Sequence, residues 1–357
     1  MSENRKEAEE KMAKAIFISA DCWLCVFDLL PPSQLGLGIA LISHRFDFYV
    51  DEHFKTRKWA LKPMRICHKI RKNGKKKMEI VSSDWKSMQI PRIQMPHKVI
   101  GFKHIDISYI DRNVIAFLRR FRQLSTACQI NLSIPTCNER ILEFLLRNIW
   151  PMFGKNIHGM GLFANTLRRL RQFVPSILND CPSLHVVYFY GPDLFSEFPA
   201  DDNAMASDGQ AVAKWLFTPR PDNVPKVLKC YFHIDERILA SKLEAFKPVF
   251  ASASSAVNFI FVVRFPPSFA TSVVPFDLTN EFTQEQLALK RTAYIDCFLL
   301  VRCPIARDAN KWTKWENEAI YWRFYEPWNQ IDIQIDDERQ IGDGLLDSTP
   351  GPSDQKK

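Results

Sequence analysis

From about residue 99 onward, β-like runs and helical stripes alternate along the chain, and this rhythm restricts it to an α/β architecture. FKHIDISYI precedes a helical stripe of Val114, Ile115, Leu118 and Phe121. CQINLSI precedes Ile141, Leu142, Leu145 and Ile149, and IHGMGLF precedes Leu167, Leu170, Val174, Ile177 and Leu178. LHVVYFY then opens a fourth unit. A stretch rich in Gly, Pro and Asp, 191–208, reads as a loop, and GQAVAKWLF after it as a helix.

The first four runs recur about every 26–29 residues. That spacing predicts a strand-plus-helix unit repeated along a curved sheet, like a degenerate leucine-rich repeat, although the Leu/Asn signature of true leucine-rich repeats is absent. Further strands are expected in KVLKCYFHI, VNFIFVVRF, YIDCFLLVR and EAIYWRFY, at irregular spacing. From residue 336 the chain turns acidic and ends in Gly, Ser, Pro and Lys, so 336–357 is expected to be a disordered tail.

Before this region, Met64, Ile66 and Ile70 lead to Asn73-Gly74, and Met78 and Ile80 follow, the pattern of a tight hairpin. Residues 82–98 carry two prolines and no clear period, and read as an irregular connection. The 55–77 stretch holds eleven Lys/Arg and no Asp/Glu; without it, the net charge of +8 becomes −3. The basicity is therefore a local patch, open to three readings: a solvated hairpin, a nuclear-localisation or phosphate-contacting patch, or a contact for an acidic partner.

The stretch 18–54 reads as two short amphipathic helices hinged at Pro31-Pro32. Cys22, Trp23, Val26, Phe27 and Leu30 form a wide stripe on the first helix. Ser33 is placed to cap a second helix bearing Leu35, Ile39, Ile42 and Phe46. Two helices this short bury too little between them to use so many large apolar side chains, so the pair wants a partner.

In its order of apolar helix, Leu-Pro turn and Ser-His-Arg-Phe ending, this stretch resembles an F-box, the module that docks on the Skp-type adaptor of cullin ubiquitin ligases. Ile18-Ser19-Ala20-Asp21 stands where that family has Leu-Pro-x-Glu, and Val26-Phe27-Asp28-Leu29-Leu30 where it has Ile-Leu/Phe-x-x-Leu. Ile42-Ser43-His44-Arg45-Phe46 stands at its Val-Cys-Arg-x-Trp ending. Ser19 replaces the usual proline and Phe46 the usual tryptophan. KVIGFKHIDISYIDRNVIAFLRRF, SDGQAVAKWLFTP and LLVRCPIARDANKWTKWENEAIYW also resemble the large F-box families of nematodes. The resemblance implies a non-catalytic adaptor that binds a Skp-type adaptor and its cullin complex at one end and a target protein at the other. The residues it points to for adaptor binding are Ile18, Trp23, Leu24, Val26, Phe27, Leu30, Pro31, Leu35, Ile39 and Ile42. The division it implies is a lead of residues 1–14, a helical module 15–57, a basic hairpin and linker 58–98, an α/β target-recognition region 99–335, and the tail.

Chemistry-bearing motifs are few. Cys22-Trp23-Leu24-Cys25 has redox or zinc spacing, but Asp21 places an anion beside the first sulfur and no second ligand pair exists, so two packed thiols are expected. The eight histidines show no metal-ligand spacing, and no nucleophile elbow, Walker loop or kinase signature occurs. No catalytic residue, metal site or cofactor is therefore assigned. Trp312, Trp315, Trp322 and Trp328 cluster near Tyr321, Phe324 and Tyr325; such density is a core or, alternatively, a target-recognition surface. Interspersed Glu316, Glu318 and Glu326 argue against a nucleic-acid stacking platform. No apolar run reaches the ~18–20 residues of a membrane span, and the acidic start (Glu7, Glu9, Glu10) makes a poor signal peptide. Nine scattered cysteines fit reduced, buried thiols in the cytoplasm or nucleus. Two other functions stay open: an α/β enzyme, and a nucleic-acid binder using the 55–77 patch.

Overall fold

A central sheet orders the larger part of the chain. The computed structural model describes residues 18–30, 35–56, 59–70, 76–82, 87–88, 99–125, 129–191, 194–231, 236–265, 273–294, 296–321 and 329–346. The chain divides into two units, one of residues 1–59 with 96–100 and one of 60–95 with 101–357.

The smaller unit is helical. Helix α1 (Ala20–Phe27) starts at Ser19, whose Oγ accepts from the Cys22 amide at 3.4 Å. A π-helical turn, Leu35–Ile39, follows, and then helix α2 (His44–Thr56). The second helix thus begins later than the sequence pattern suggests. Gly36 and Gly38 weaken an α-helix there, and Ser43, whose Oγ accepts from the Phe46 amide at 3.4 Å, caps the helix instead. Pro31 and Ser33 lie outside the described residues.

In the larger unit the expected α/β architecture is present. Its strands are β1 (Met64–Ile70), β2 (Lys76–Ser82), β3 (Ser87–Met88), β4 (His104–Ile107), β5 (Ile130–Ile134), β6 (Ile157–Leu162), β7 (Val186–Phe189), β8 (Lys226–Tyr231), β9 (Phe259–Arg264), β10 (Phe276–Asn280), β11 (Glu285–Arg291), β12 (Cys297–Pro304) and β13 (Gln330–Ile333). Among the described residues they form one sheet in the order β10-β11-β12-β9-β8-β7-β6-β5-β13-β4-β1-β2-β3. From β1 through β4, β13 and β5 to β9 the pairing is parallel, and both ends are antiparallel.

Strands β5 to β9 are neighbours in chain order and step in one direction. Right-handed crossovers then put every connecting helix on one face. Helices α3 (Arg112–Ser125), α4 (Glu139–Asn148), α5 (Trp150–Phe153), α6 (Ala164–Phe173) and α7 (Asp208–Leu216) accordingly pack in series, followed by α8 (Glu236–Glu244) and α9 (Phe246–Ala251). On that face Phe195, Phe217 and Phe246 meet Phe259 and Phe261 at ring separations of 5.2–6.2 Å. The alternate residues Ile260 and Val262 face the other way, where helix α10 (Ala309–Tyr321) covers them with Trp312, Trp315 and Ala319.

Three sequence expectations change. EAIYWRFY is not a strand at its start, since α10 runs through Tyr321; Asp308 caps it, accepting from the Lys311 amide at 3.0 Å. The β10–β11 hairpin and β13 were not anticipated. The region read as tail is built as far as Leu346: Ile341 bridges to Ile110, and both Ile341 and Leu346 are buried. Among the described residues no helix is long and apolar enough to cross a membrane.

Candidate functional site

The helical unit carries two apolar sets. The inner one is Phe27, Leu35 and Val50, sealed from solvent and packed by Trp23, Leu24, Leu30, Ile39, Phe46, Tyr49 and Phe54. Trp23 meets Phe46 edge-on at 4.8 Å, and Phe27 meets His53 at 5.7 Å. The outer set is Ile18, Val26, Leu29, Leu41, Ile42 and Phe48, with Leu29 84% exposed and Leu41 77%. Ten residues were expected to face a partner. Ile18, Val26 and Ile42 point outward, Phe27 and Leu35 hold the helices together, and Trp23, Leu24, Leu30 and Ile39 are half-buried against them. Pro31 lies outside the described residues. Leu29, Leu41 and Phe48 escaped the sequence reading. On α1 a stripe that wraps most of the helix has no single inward side, so its period cannot say which residues are turned out.

Cys22 and Cys25 are exposed on α1, where packed thiols were expected. Cys137 is also exposed, whereas Cys181, Cys230, Cys297 and Cys303 are buried. No group of three metal-ligating side chains is assembled among the described residues.

In the larger unit, polar side chains form a row across the parallel strands. Register aligns Arg65, Asp106, Asp332, Ser133, Gly161, Tyr188 and Lys229 on successive strands. Strands buried on both faces are normally continuous apolar runs, so this row stands out. Its members are held in pairs, as burial requires. Arg65 Nε is 3.0 Å from Asp106 Oδ2, and His104 Nε2 is 2.9 Å from Asp332 Oδ2. Gln330 Nε2 donates to Asp332 Oδ1 at 2.9 Å, and the Ser133 and Tyr190 hydroxyls are 3.0 Å apart. Burial raises the Asp106 carboxyl above the usual carboxylate range, against the pull of Arg65. Burial also lowers Lys229 to about 8, and its ammonium donates to the Ala319 and Ile320 carbonyls at 2.6 and 3.3 Å. Ser133 faces the Tyr190 hydroxyl rather than a base, so no activated nucleophile is assembled there.

Of the four tryptophans, Trp312 is buried under the Arg307 guanidinium, 5.4 Å from its ring. Trp315 packs on Trp312 at 5.4 Å and lines a cavity of about 190 Å³ together with His158, His185, Val186, Pro225, Val227, Glu318 and Ala319. Trp322 and Trp328 lie outside the described residues. In the basic patch, β1 and β2 pair antiparallel from Met64–Ser82 to Ile70–Lys76; Asn73-Gly74 lies outside the described residues.

No family model, curated protein or solved structure matches this chain.

Proposed function

We propose that the chain is the substrate-recognition subunit of a Skp–cullin–F-box type ubiquitin ligase. One observation carries the reading: the helical unit closes its own core and still turns six large apolar side chains, Ile18, Val26, Leu29, Leu41, Ile42 and Phe48, to solvent. Large apolar side chains concentrated on so small a unit mark a surface meant for covering. The F-box resemblance of 18–46 supplies the occupant, a Skp-type adaptor whose groove receives apolar helical side chains. The mechanism is proximity: the larger unit holds a target near the ubiquitin-charged enzyme and raises its effective concentration there. The rim of α10 beside Trp315 is the surface offered to the target, and the one-way progression β5 to β9 is read as a degenerate strand–helix repeat.

The test is co-purification with a Skp-type adaptor. Val26→Asp with Ile42→Asp changes two exposed positions, leaves the Phe27–Leu35–Val50 core in place, and should abolish adaptor capture while circular dichroism stays unchanged. A double variant that still captures the adaptor at the wild-type level refutes the assignment of this face.

A further inference from the structure

The cavity beneath α10 has the chemistry of a binding site that the docking reading does not use. Strand β6 carries an irregularity at its start: Ile130 pairs with Ile157, but Asn131 pairs with Gly159, so His158 is an extra residue without a partner on β5. Such bulges re-aim a side chain, and they are rare between parallel strands. Here the bulge sets the His158 ring beside that of His185, with centroids 4.8 Å apart and planes inclined by 31°. The backbone holds the pair in place: the His185 amide donates to the His158 carbonyl at 2.8 Å, and the Val227 amide to the His185 carbonyl at 2.8 Å. A Cβ on Gly159, next to the bulge, would collide with the Asn131 amide oxygen, so a larger residue there would have to displace the Asn131 side chain.

Both rings bring hydrogen-bonding capacity that the described residues do not meet. Nδ1 of His158 and Nδ1 of His185 are buried and have no hydrogen-bond partner. Buried polar nitrogens are normally satisfied, and these two adjacent exceptions belong to rings that line the cavity. Burial first, then neighbouring charge, keeps both imidazoles neutral: His158 is lowered to about 4 and His185 to about 3. A neutral imidazole offers one acceptor and one donor.

The remaining lining decides the ligand's sign. Val186, Val227, Pro225 and Ala319 are apolar, Trp315 supplies an aromatic wall, and among the described lining residues Glu318 supplies the only charge. Arg220, which helps to depress both imidazoles, is spent on Asp222 at 2.6 and 2.9 Å and on the Ser183 carbonyl at 3.1 Å. Lys314 holds Glu318 only loosely, at 3.8 Å, with both side chains more than half exposed. Among the described residues no hydroxyl or thiol lines the space, so the imidazoles have no nucleophile there to activate. The volume, about 190 Å³, is slightly larger than the ~150 Å³ that accommodates benzene.

We infer that this cavity binds a small organic amine in its cationic form, with a compact apolar or aromatic body, its N–H donors directed at the His158 and His185 rings and its charge at Glu318. The inference is independent of adaptor docking.

The probe is 2-phenylethylamine, titrated into the full chain by calorimetry, with 2-phenylethanol and phenylacetate as neutral and anionic counterparts of similar size. The amine should bind saturably, about tenfold more tightly than the alcohol, as a charge-assisted hydrogen bond predicts, and phenylacetate should not bind. Glu318→Gln, at an exposed position, should weaken the amine about threefold to fivefold without changing the fold. His185→Phe should abolish binding, and shifts of the His158 and His185 imidazole nitrogens on titration of wild-type protein give the same information should that variant not fold. Equal affinity for all three probes, an unchanged affinity in Glu318→Gln, or imidazole shifts with zinc but none with the amine would each overturn the assignment.

Discussion

Arg302 and Glu285 give the sharpest test of how the larger unit is held together. Both are about 1% exposed, on paired strands β12 and β11. Arg302 Nη2 and Nε donate to Glu285 Oε2 at 2.6 and 3.2 Å, and Nη2 also donates to the Ser255 carbonyl at 2.8 Å. Glu285 Oε1 accepts from the Val257 amide at 2.7 Å, and the guanidinium lies between Phe217 and Phe250, 5.5 and 5.3 Å from their centroids. Arg302→Leu keeps the bulk but strands a carboxylate in the core, at a cost of about 3–5 kcal/mol; Glu285→Leu strands the guanidinium at a similar cost. If the two losses were independent, the double variant would lose about 6–10 kcal/mol, enough to unfold a domain of ordinary stability. It leaves no orphan charge, however. Its expected loss is about 1–3 kcal/mol, set by the unsatisfied Val257 amide and Ser255 carbonyl. Urea unfolding followed by tryptophan fluorescence reads this directly, because Trp215 and Trp312 are buried in the same unit. A double variant less stable than either single one, with the two losses adding, would refute the view that the pair is retained by mutual desolvation rather than by its net strength.

Two further outcomes follow from other parts of the molecule. With His158 and His185 neutral when folded and near 6.5 when unfolded, protons bind preferentially to the unfolded chain below pH 6.5. Stability is then full above that pH and falls from pH 6.5 down to about 4 for His158 and about 3 for His185, by roughly 1.4 kcal/mol per pH unit per imidazole; denaturation midpoints that stay flat across this window would contradict the neutral pair. In the helical unit, Phe27→Ala should cost about 3–5 kcal/mol by opening a cavity in the sealed core, whereas Leu29→Ala should stay within about 0.5 kcal/mol, as read by protection of α1 and α2 amides from hydrogen exchange.

How far the chain could be read from its residues depended on what surrounds each element. Strand β9, FIFVVR, announces itself because a strand packed on both faces by Phe246 and Trp312 must be apolar throughout. The β10–β11 hairpin does not: in EQLALKR the first residue is a charge that looks exposed, and only Arg302, seventeen residues later, makes its burial tolerable. Aromatic β-formers at the end of EAIYWRFY favoured a strand, but the Asp308 cap and the need to cover Val227 and Ile260 keep the segment up to Tyr321 helical. β13 was missed for a third reason, since Gln330 and Asp332 give it a polar pattern whose partners, His104 among them, lie far away in sequence. The cavity left one faint trace, a histidine just before a glycine in IHGMGL. Neither its partner His185 nor the bulge that aligns them can be deduced from spacing.

The position of β13 also bears on how the molecule is made. It lies between β4 and β5, two strands that leave the ribosome long before it does. Until Gln330–Ile333 is translated, those two strands are a full slot apart, roughly 9–10 Å, each with an unpaired edge. The sheet is therefore completed from its middle, by the last of its described strands to be synthesised, and a nascent chain must keep that opening from being filled by a stray strand in the meantime.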